Sequence, residues 1–154
     1  MKVKTLLPVV SIVAALALSS CASTKVNSYT DYKFEDIKSV CLQKNFSKRG
    51  SKAVEEIIAK SLENLNVKYS EVDGLIAANN DGCTHYMKYS VNKYDNTAKG
   101  TAFAFYEVVK DSTRYKRLNN SALRTPYAMD VNNAESVKAV QSIVSDILNN
   151  RKTN

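Results

Sequence analysis

The sequence predicts an α+β fold, a mostly antiparallel sheet of four to five strands with two helices packed on one face, in the order β-α-β-β-β-β-α. Two observations carry the prediction. Stretches beginning at Ser51 and Asn133 repeat apolar residues at helical spacing, and the segment between them holds runs that alternate with the period of a half-buried strand. Each element has one apolar side, and layering the helices over the sheet covers all of them together.

Residues 22–36 are polar, with isolated aromatics and no sustained period. That composition suits a spacer, with Tyr32 and Phe34 as candidates for packing where the folded body begins. Residues 37–43 set Ile37, Val40 and Leu42 around Cys41, a β-prone run that predicts the first strand. Ser51 is placed to cap the first helix. Glu55 and Glu56 fall in its first turn, Val54, Ile57, Ile58, Leu62 and Leu65 line one face, and Asn64 and Asn66 end it. The opposite face lacks the basic enrichment of a membrane-surface helix, so the apolar stripe is assigned to the sheet. Residues 67–72 predict a short strand, and the Asp73-Gly74 and Asn79-Asn80-Asp81-Gly82 runs a loop.

In the next strand Cys83, His85, Met87, Tyr89 and Val91 alternate with Thr84, Tyr86, Lys88, Ser90 and Asn92. Residues 101–109, with Phe103, Phe105, Tyr106, Val108 and Val109, predict another strand, and Lys110-Asp111-Ser112-Thr113 the hairpin turn into a last strand over 114–118. Beyond Thr125-Pro126, Asn133 caps a final helix bearing Val137, Val140, Val144, Ile147 and Leu148 on one side, after which residues 151–154 are expected to fray.

Ahead of these elements, Lys2 and Lys4 precede an almost wholly apolar run from Leu6 to Leu18. The run is shorter than the roughly 20 residues of a membrane span and matches the apolar region of an export signal. It closes on Leu18-Ser19-Ser20-Cys21, which resembles the lipobox of bacterial lipoproteins: an aliphatic residue, two small residues and a cysteine. The resemblance implies that residues 1–20 are a signal peptide. It further implies that Cys21 carries a palmitate-type lipid as the mature N-terminus, that 21–36 is a lipidated tether, and that 37–150 is one periplasmic domain with a tail at 151–154. Ala22 and Ser23 follow the cysteine where an acidic residue would signal inner-membrane retention, so the resemblance implies anchoring at the outer membrane.

Charge and cysteine usage fit that compartment. The chain carries 22 Lys plus Arg against 15 Asp plus Glu, a net +7 that falls to +5 when Lys2 and Lys4 leave with the signal peptide. Behind a lipid anchor nucleic acid is not an expected partner; the excess suits solubility or attraction to anionic headgroups, lipopolysaccharide or wall polymer. With Cys21 acylated, Cys41 and Cys83 remain as an even pair in an oxidising compartment, which favours a disulfide.

The folded part also resembles a family of small proteobacterial lipoproteins to which no function is assigned. The residues concerned are Val40-Cys41-Leu42, then Cys83, Met87 and Tyr89, then Tyr94-Asp95, Phe105-Tyr106-Glu107-Val108 and the turn at Asp111. Tyr94 stands where that family has tryptophan, and the segment after Asp95 is longer by a few residues. The resemblance implies the same fold and the same Cys41–Cys83 pairing.

Candidate chemistry is sparse. His85 is the one histidine, which leaves a metal site or a histidine-based triad without partners of its own kind. No Gly-x-Ser-x-Gly elbow, phosphate loop or Cys-x-x-Cys pair occurs, and only four glycines are present, so no cofactor is expected. Lys44, Lys48, Arg49 and Lys52, around the predicted helix N-terminus, form a candidate anion-binding loop. Tyr86 and Tyr106 form a candidate binding face if the sheet leaves them exposed, and Arg114, Lys116 and Arg117 have the character of edge-strand charges. The expected function is a non-catalytic binding or interaction module, held in the membrane by its N-terminal lipid, with an envelope protein or glycolipid as partner. The alternatives are an accessory subunit of an envelope transport or assembly complex, and a hydrolase if His85, Asp95 and Glu107 converge in one pocket.

Overall fold

A computed structural model describes residues 22–44, 51–94, 97–109 and 115–153. The fold is α+β, with a mixed sheet of six strands and three α-helices among the described residues. In chain order these are β1 (Ser23–Ser28), β2 (Ser39–Gln43), α1 (Lys52–Asn64), β3 (Lys68–Val72), α2 (Leu75–Asn80), β4 (His85–Tyr94), β5 (Thr97–Val108), β6 (Tyr115–Arg124) and α3 (Ala134–Leu148). The strands lie in the order β1-β6-β5-β4-β2-β3. The pairs β1–β6, β6–β5 and β5–β4 are antiparallel, whereas β2 is parallel to both β3 and β4. Parallel pairing follows from the connections: α1 carries the chain back between β2 and β3, so both strands run the same way.

The expected class holds, and four parts of the expected layout do not. Residues 23–28, taken as tether, form β1, because each residue pairs with β6 and Val26 drops into the core at 1 % exposure. Residues 75–80, taken as loop, form α2: Leu75, Ala77 and Ala78 are good helix formers, but the helix is only six residues long and sits between turn-forming Asp-Gly and Asn-Asp-Gly runs, and fully buried Ala78 holds it to the sheet. The last strand is twice as long as expected and lies inside the sheet, so Lys116 and Arg117 are not edge-strand charges; Arg114 lies outside the described residues. The tail, expected to fray, docks on the free side of β1. There the Val26 amide donates to Thr153 Oγ1 at 2.7 Å and the Thr153 amide donates back to the Val26 carbonyl at 3.4 Å. That contact covers part of what would otherwise be an open sheet edge.

Both long helices begin and end as their sequences dictate. Ser51 Oγ accepts from the Val54 amide, and Asn133 Oδ1 accepts from the Glu135 and Ser136 amides. Each helix ends on an asparagine in the left-handed region, Asn66 at φ 56° and Asn150 at φ 53°. Around Asn66 the amides of Asn66 and Val67 return to the carbonyls of Glu63 and Leu62; around Asn150 the amides of Asn150 and Arg151 return to Ile147 and Asp146. This is the paired-bond helix stop usually built on glycine.

Two cores result. Alternation along the strands sends Val40, Leu42, Met87, Tyr89, Val91, Phe103 and Phe105 to one face, where α1 and α3 cover them with Ile57, Ile58, Leu62, Val140, Ile143 and Ile147. Tyr32 and Phe34 pack against the margin of this core. Cys41, Val72, Cys83 and Tyr86 lie on the other face beneath Ala78 of α2. Cys83 was expected to share the face of His85, but it precedes β4 and sits opposite, where it forms a disulfide with Cys41 at a Cα separation of 5.7 Å.

Candidate functional site

At one end of the sheet, where β4 begins, β5 ends, β6 begins and the chain leaves β1, a cleft of about 730 Å³ opens. Strand register builds its floor. His85 pairs with Glu107, and Glu107 pairs with Lys116, so the three side chains form one row across β4, β5 and β6. The β5–β6 register slips between Phe105 and Tyr106, which leaves Leu118 as the extra residue of a bulge directly behind the row. The remaining wall comes from the segment after β1: Asp31, Tyr32 and Asp36, the last in the single 3₁₀ turn Phe34–Asp36.

This wall is tied to α3. The Tyr32 hydroxyl donates to the Ile147 carbonyl, and Asn150 Nδ2 donates to the Tyr32 carbonyl at 3.3 Å and the Thr30 carbonyl at 3.5 Å. Burial pushes the Tyr32 hydroxyl well above the usual tyrosine range, partly offset by a hydrogen bond with Asn119, so it serves as a neutral donor. Exposed Asp31 lies 3.6 Å from Lys152 on the docked tail.

His85 is 5 % exposed and stacks on Phe105, with ring centroids 5.2 Å apart and planes 12° from parallel. Its Nδ1 lies 2.9 Å from Thr84 Oγ1, whose own proton goes to the Ser39 carbonyl at 3.0 Å. The same Thr84 oxygen accepts from the Lys38 and Ser39 amides, each at 3.1 Å, so the start of β2 and the start of β4 are tied together beside the ring. Burial lowers the His85 pKa, opposed by the charges of Glu107 and Asp36, so the ring is neutral near pH 7. Glu107 lies 3.9 Å from Lys116. Three carboxylates and one ammonium therefore line the cleft, an arrangement suited to a ligand rich in hydrogen-bond donors.

The residues singled out from sequence are distributed unevenly. His85 and Glu107 do meet in the cleft, while Asp95 lies outside the described residues. Tyr86 is not part of an exposed face: it is 2 % exposed, donates to Gln43 Oε1 at 3.1 Å, and burial pushes its pKa up to about 12. Tyr106 is half-buried with its ring 6.0 Å from that of Tyr86, and the Arg117 guanidinium sits 5.9 Å from the rings of both Tyr29 and Tyr106. Of the candidate anion loop, Lys44 is paired with Asp73 at 3.7 Å and Lys52 is an exposed first residue of α1; Lys48 and Arg49 lie outside the described residues, as does Cys21. Cys41, Asp81 and Cys83 place potential metal donors within 4.8 Å of one another, but both sulfurs are consumed in the disulfide. Sequence reasoning missed Asp31, Asp36 and the role of Lys116, since nothing short of the β4–β5–β6 register and the tail contact brings these distant positions together.

No helix among the described residues is long and apolar enough to cross a membrane. No protein-family model and no curated protein matches the sequence. The fold is similar to that of PelC from Paraburkholderia phytofirmans, solved as a dodecamer. One PelC structure, in space group P6, aligns at TM-score 0.54 with 12% identity over 87% of this chain and 100% of PelC. A single-substitution variant in space group C2 aligns at TM-score 0.54 with 13% identity over 83% of this chain and 98% of PelC. At these identities the likeness is one of fold.

Proposed function

We propose that the chain is a lipid-anchored, non-catalytic interaction module of the bacterial outer membrane, held by an acyl group on Cys21 and receiving a partner in the cleft around His85 and Glu107. One observation carries the reading: the body closes a disulfide between Cys41 and Cys83, a bond of oxidising compartments, and the one remaining cysteine stands at the end of a lipobox-like leader. Binding is favoured over catalysis by the commitments of the ionisable groups. The His85 ring is only 5 % exposed and lies flat on Phe105, which shields it from a substrate, and Glu107 is paired with Lys116.

In-cell photo-crosslinking from a probe at Asp36, followed by mass spectrometry, tests the reading. It predicts a discrete envelope partner whose yield falls when Glu107→Lys is introduced, and a Cys21→Ala form that leaves the membrane fraction. A Cys21→Ala protein still in that fraction, or crosslinks indifferent to Glu107→Lys, contradicts it.

A second reading, a subunit of a larger envelope assembly, is favoured by an apolar patch on α2. Ile76 is 75 % exposed there, beside Leu75, Ala77 and Tyr115. The dodecameric state of PelC makes self-association the first form to test. Light scattering of the unacylated protein would reveal an oligomer that Ile76→Glu dissociates, or a monomer that dismisses this reading.

A further inference from the structure

The distance between the acylation position and the first strand limits how the body sits on a membrane. Ala22 is the one residue between Cys21 and Ser23, and consecutive Cα atoms are about 3.8 Å apart, so Ser23 lies within roughly 8 Å of the anchored residue. Ser23 is already fixed. It pairs with Arg124 of β6, and three residues on, β1 is held from its other side by Thr153. The short link therefore limits how far the body can stand from its anchor. The cleft is at the other end of the same strands: Lys116 precedes Arg124 by eight positions on β6, roughly 26 Å at 3.3 Å per residue. That separation exceeds the Debye length of about 8 Å over which headgroup charge is felt.

We infer that the β1-start, β6-end edge of the sheet is a lipid-docking surface that rests on anionic headgroups and turns the cleft toward the aqueous space. The inference rests on the anchor reading above. Exposed Lys25 and Arg124 flank Ser23, where they complement an anionic leaflet, and half-buried Tyr127 follows in the turn after β6, an amphipathic ring at headgroup level. The ligand of the cleft therefore approaches from the water side, beyond the reach of lipid headgroups in the anchoring leaflet.

The test uses the acylated protein carrying one added free cysteine, either Ala122→Cys near the docking edge or Glu35→Cys beside the cleft, both at exposed positions. Each is labelled with a maleimide fluorophore and reconstituted into phosphatidylethanolamine–phosphatidylglycerol vesicles bearing a headgroup nitroxide quencher. Flotation is scored on the same samples. The expected result is flotation of both proteins, with the Ala122→Cys fluorophore quenched several-fold more than the Glu35→Cys fluorophore. Flotation with equal quenching, or with the order reversed, overturns the orientation while leaving the anchor standing. Loss of flotation in both overturns the anchor reading and the orientation with it.

Discussion

Replacing Cys41 and Cys83 together by alanine should lower the stability of the body by about 4 kcal/mol. The bond joins residues 42 positions apart, and closing a loop of that length removes roughly 13 cal/mol/K of chain entropy from the unfolded state, about 4 kcal/mol at 25 °C. Domains of this size are stable by only about 5–15 kcal/mol, so the loss is a large share of the total. At roughly 3 °C per kcal/mol the melting temperature should fall by about 12 °C. The bond is also packed: Cys41 is fully buried, Cys83 is 7 % exposed, and α2 lies over both. Loss of two buried sulfur atoms adds to the entropic effect, and α2, a six-residue helix with no side-chain cap, should be the element that loses amide protection first. The assay is urea unfolding of the unacylated protein, wild type against the double alanine variant, followed by circular dichroism and hydrogen exchange. A midpoint change worth less than about 1 kcal/mol would refute the chain-entropy reasoning.

Three further outcomes follow from the same structure. Asn66 occupies the left-handed region, so Asn66→Val should cost about 1–2 kcal/mol while Asn66→Gly stays within a few tenths, checked by chemical denaturation. Asn133→Ala removes a side chain that accepts from two amides at the start of α3 and should cost about 1 kcal/mol by the same measurement. His85 has a folded pKa below its ordinary value of 6.5, so the unfolded chain binds the proton more readily. Its contribution to stability is therefore present above pH 6.5 and is lost as pH falls through the folded pKa, with a slope of at most about 1.4 kcal/mol per pH unit. A His85→Gln variant should flatten the stability profile in that window; an unchanged profile would show that His85 is not the responsible group.

Much of the main core was legible from residue order. α1 and α3 carry their caps at Ser51 and Asn133 and their apolar stripes at helical spacing, and β4 shows its alternation openly. β1 was hidden because Val26 is its only buried residue and its pairing is dictated by β6. The far half of β6 was hidden for a different reason. Its inward positions include Asn119 and Ser121, both buried, and the Ser121 hydroxyl donates to Asn119 Oδ1, so polar residues occupy places where alternation leads one to look for apolar ones. The parallel pairings of β2 depend on where α1 delivers the chain, a tertiary matter that local pattern does not encode. The cleft is harder still. His85 and Glu107 are legible as a pair only once register is known, and Asp31 enters because Asn150 and Tyr32 tie its segment to the end of α3.

Compartment, orientation and partner class all depend on one modification, and intact mass spectrometry of the mature protein from a bacterial membrane fraction measures it directly. The predicted mass begins at Cys21, carries the added mass of lipid on that residue, and is two hydrogens lighter for the Cys41–Cys83 bond. A mass that retains residues 1–20, or begins at Cys21 with no lipid attached, would contradict the proposed anchoring.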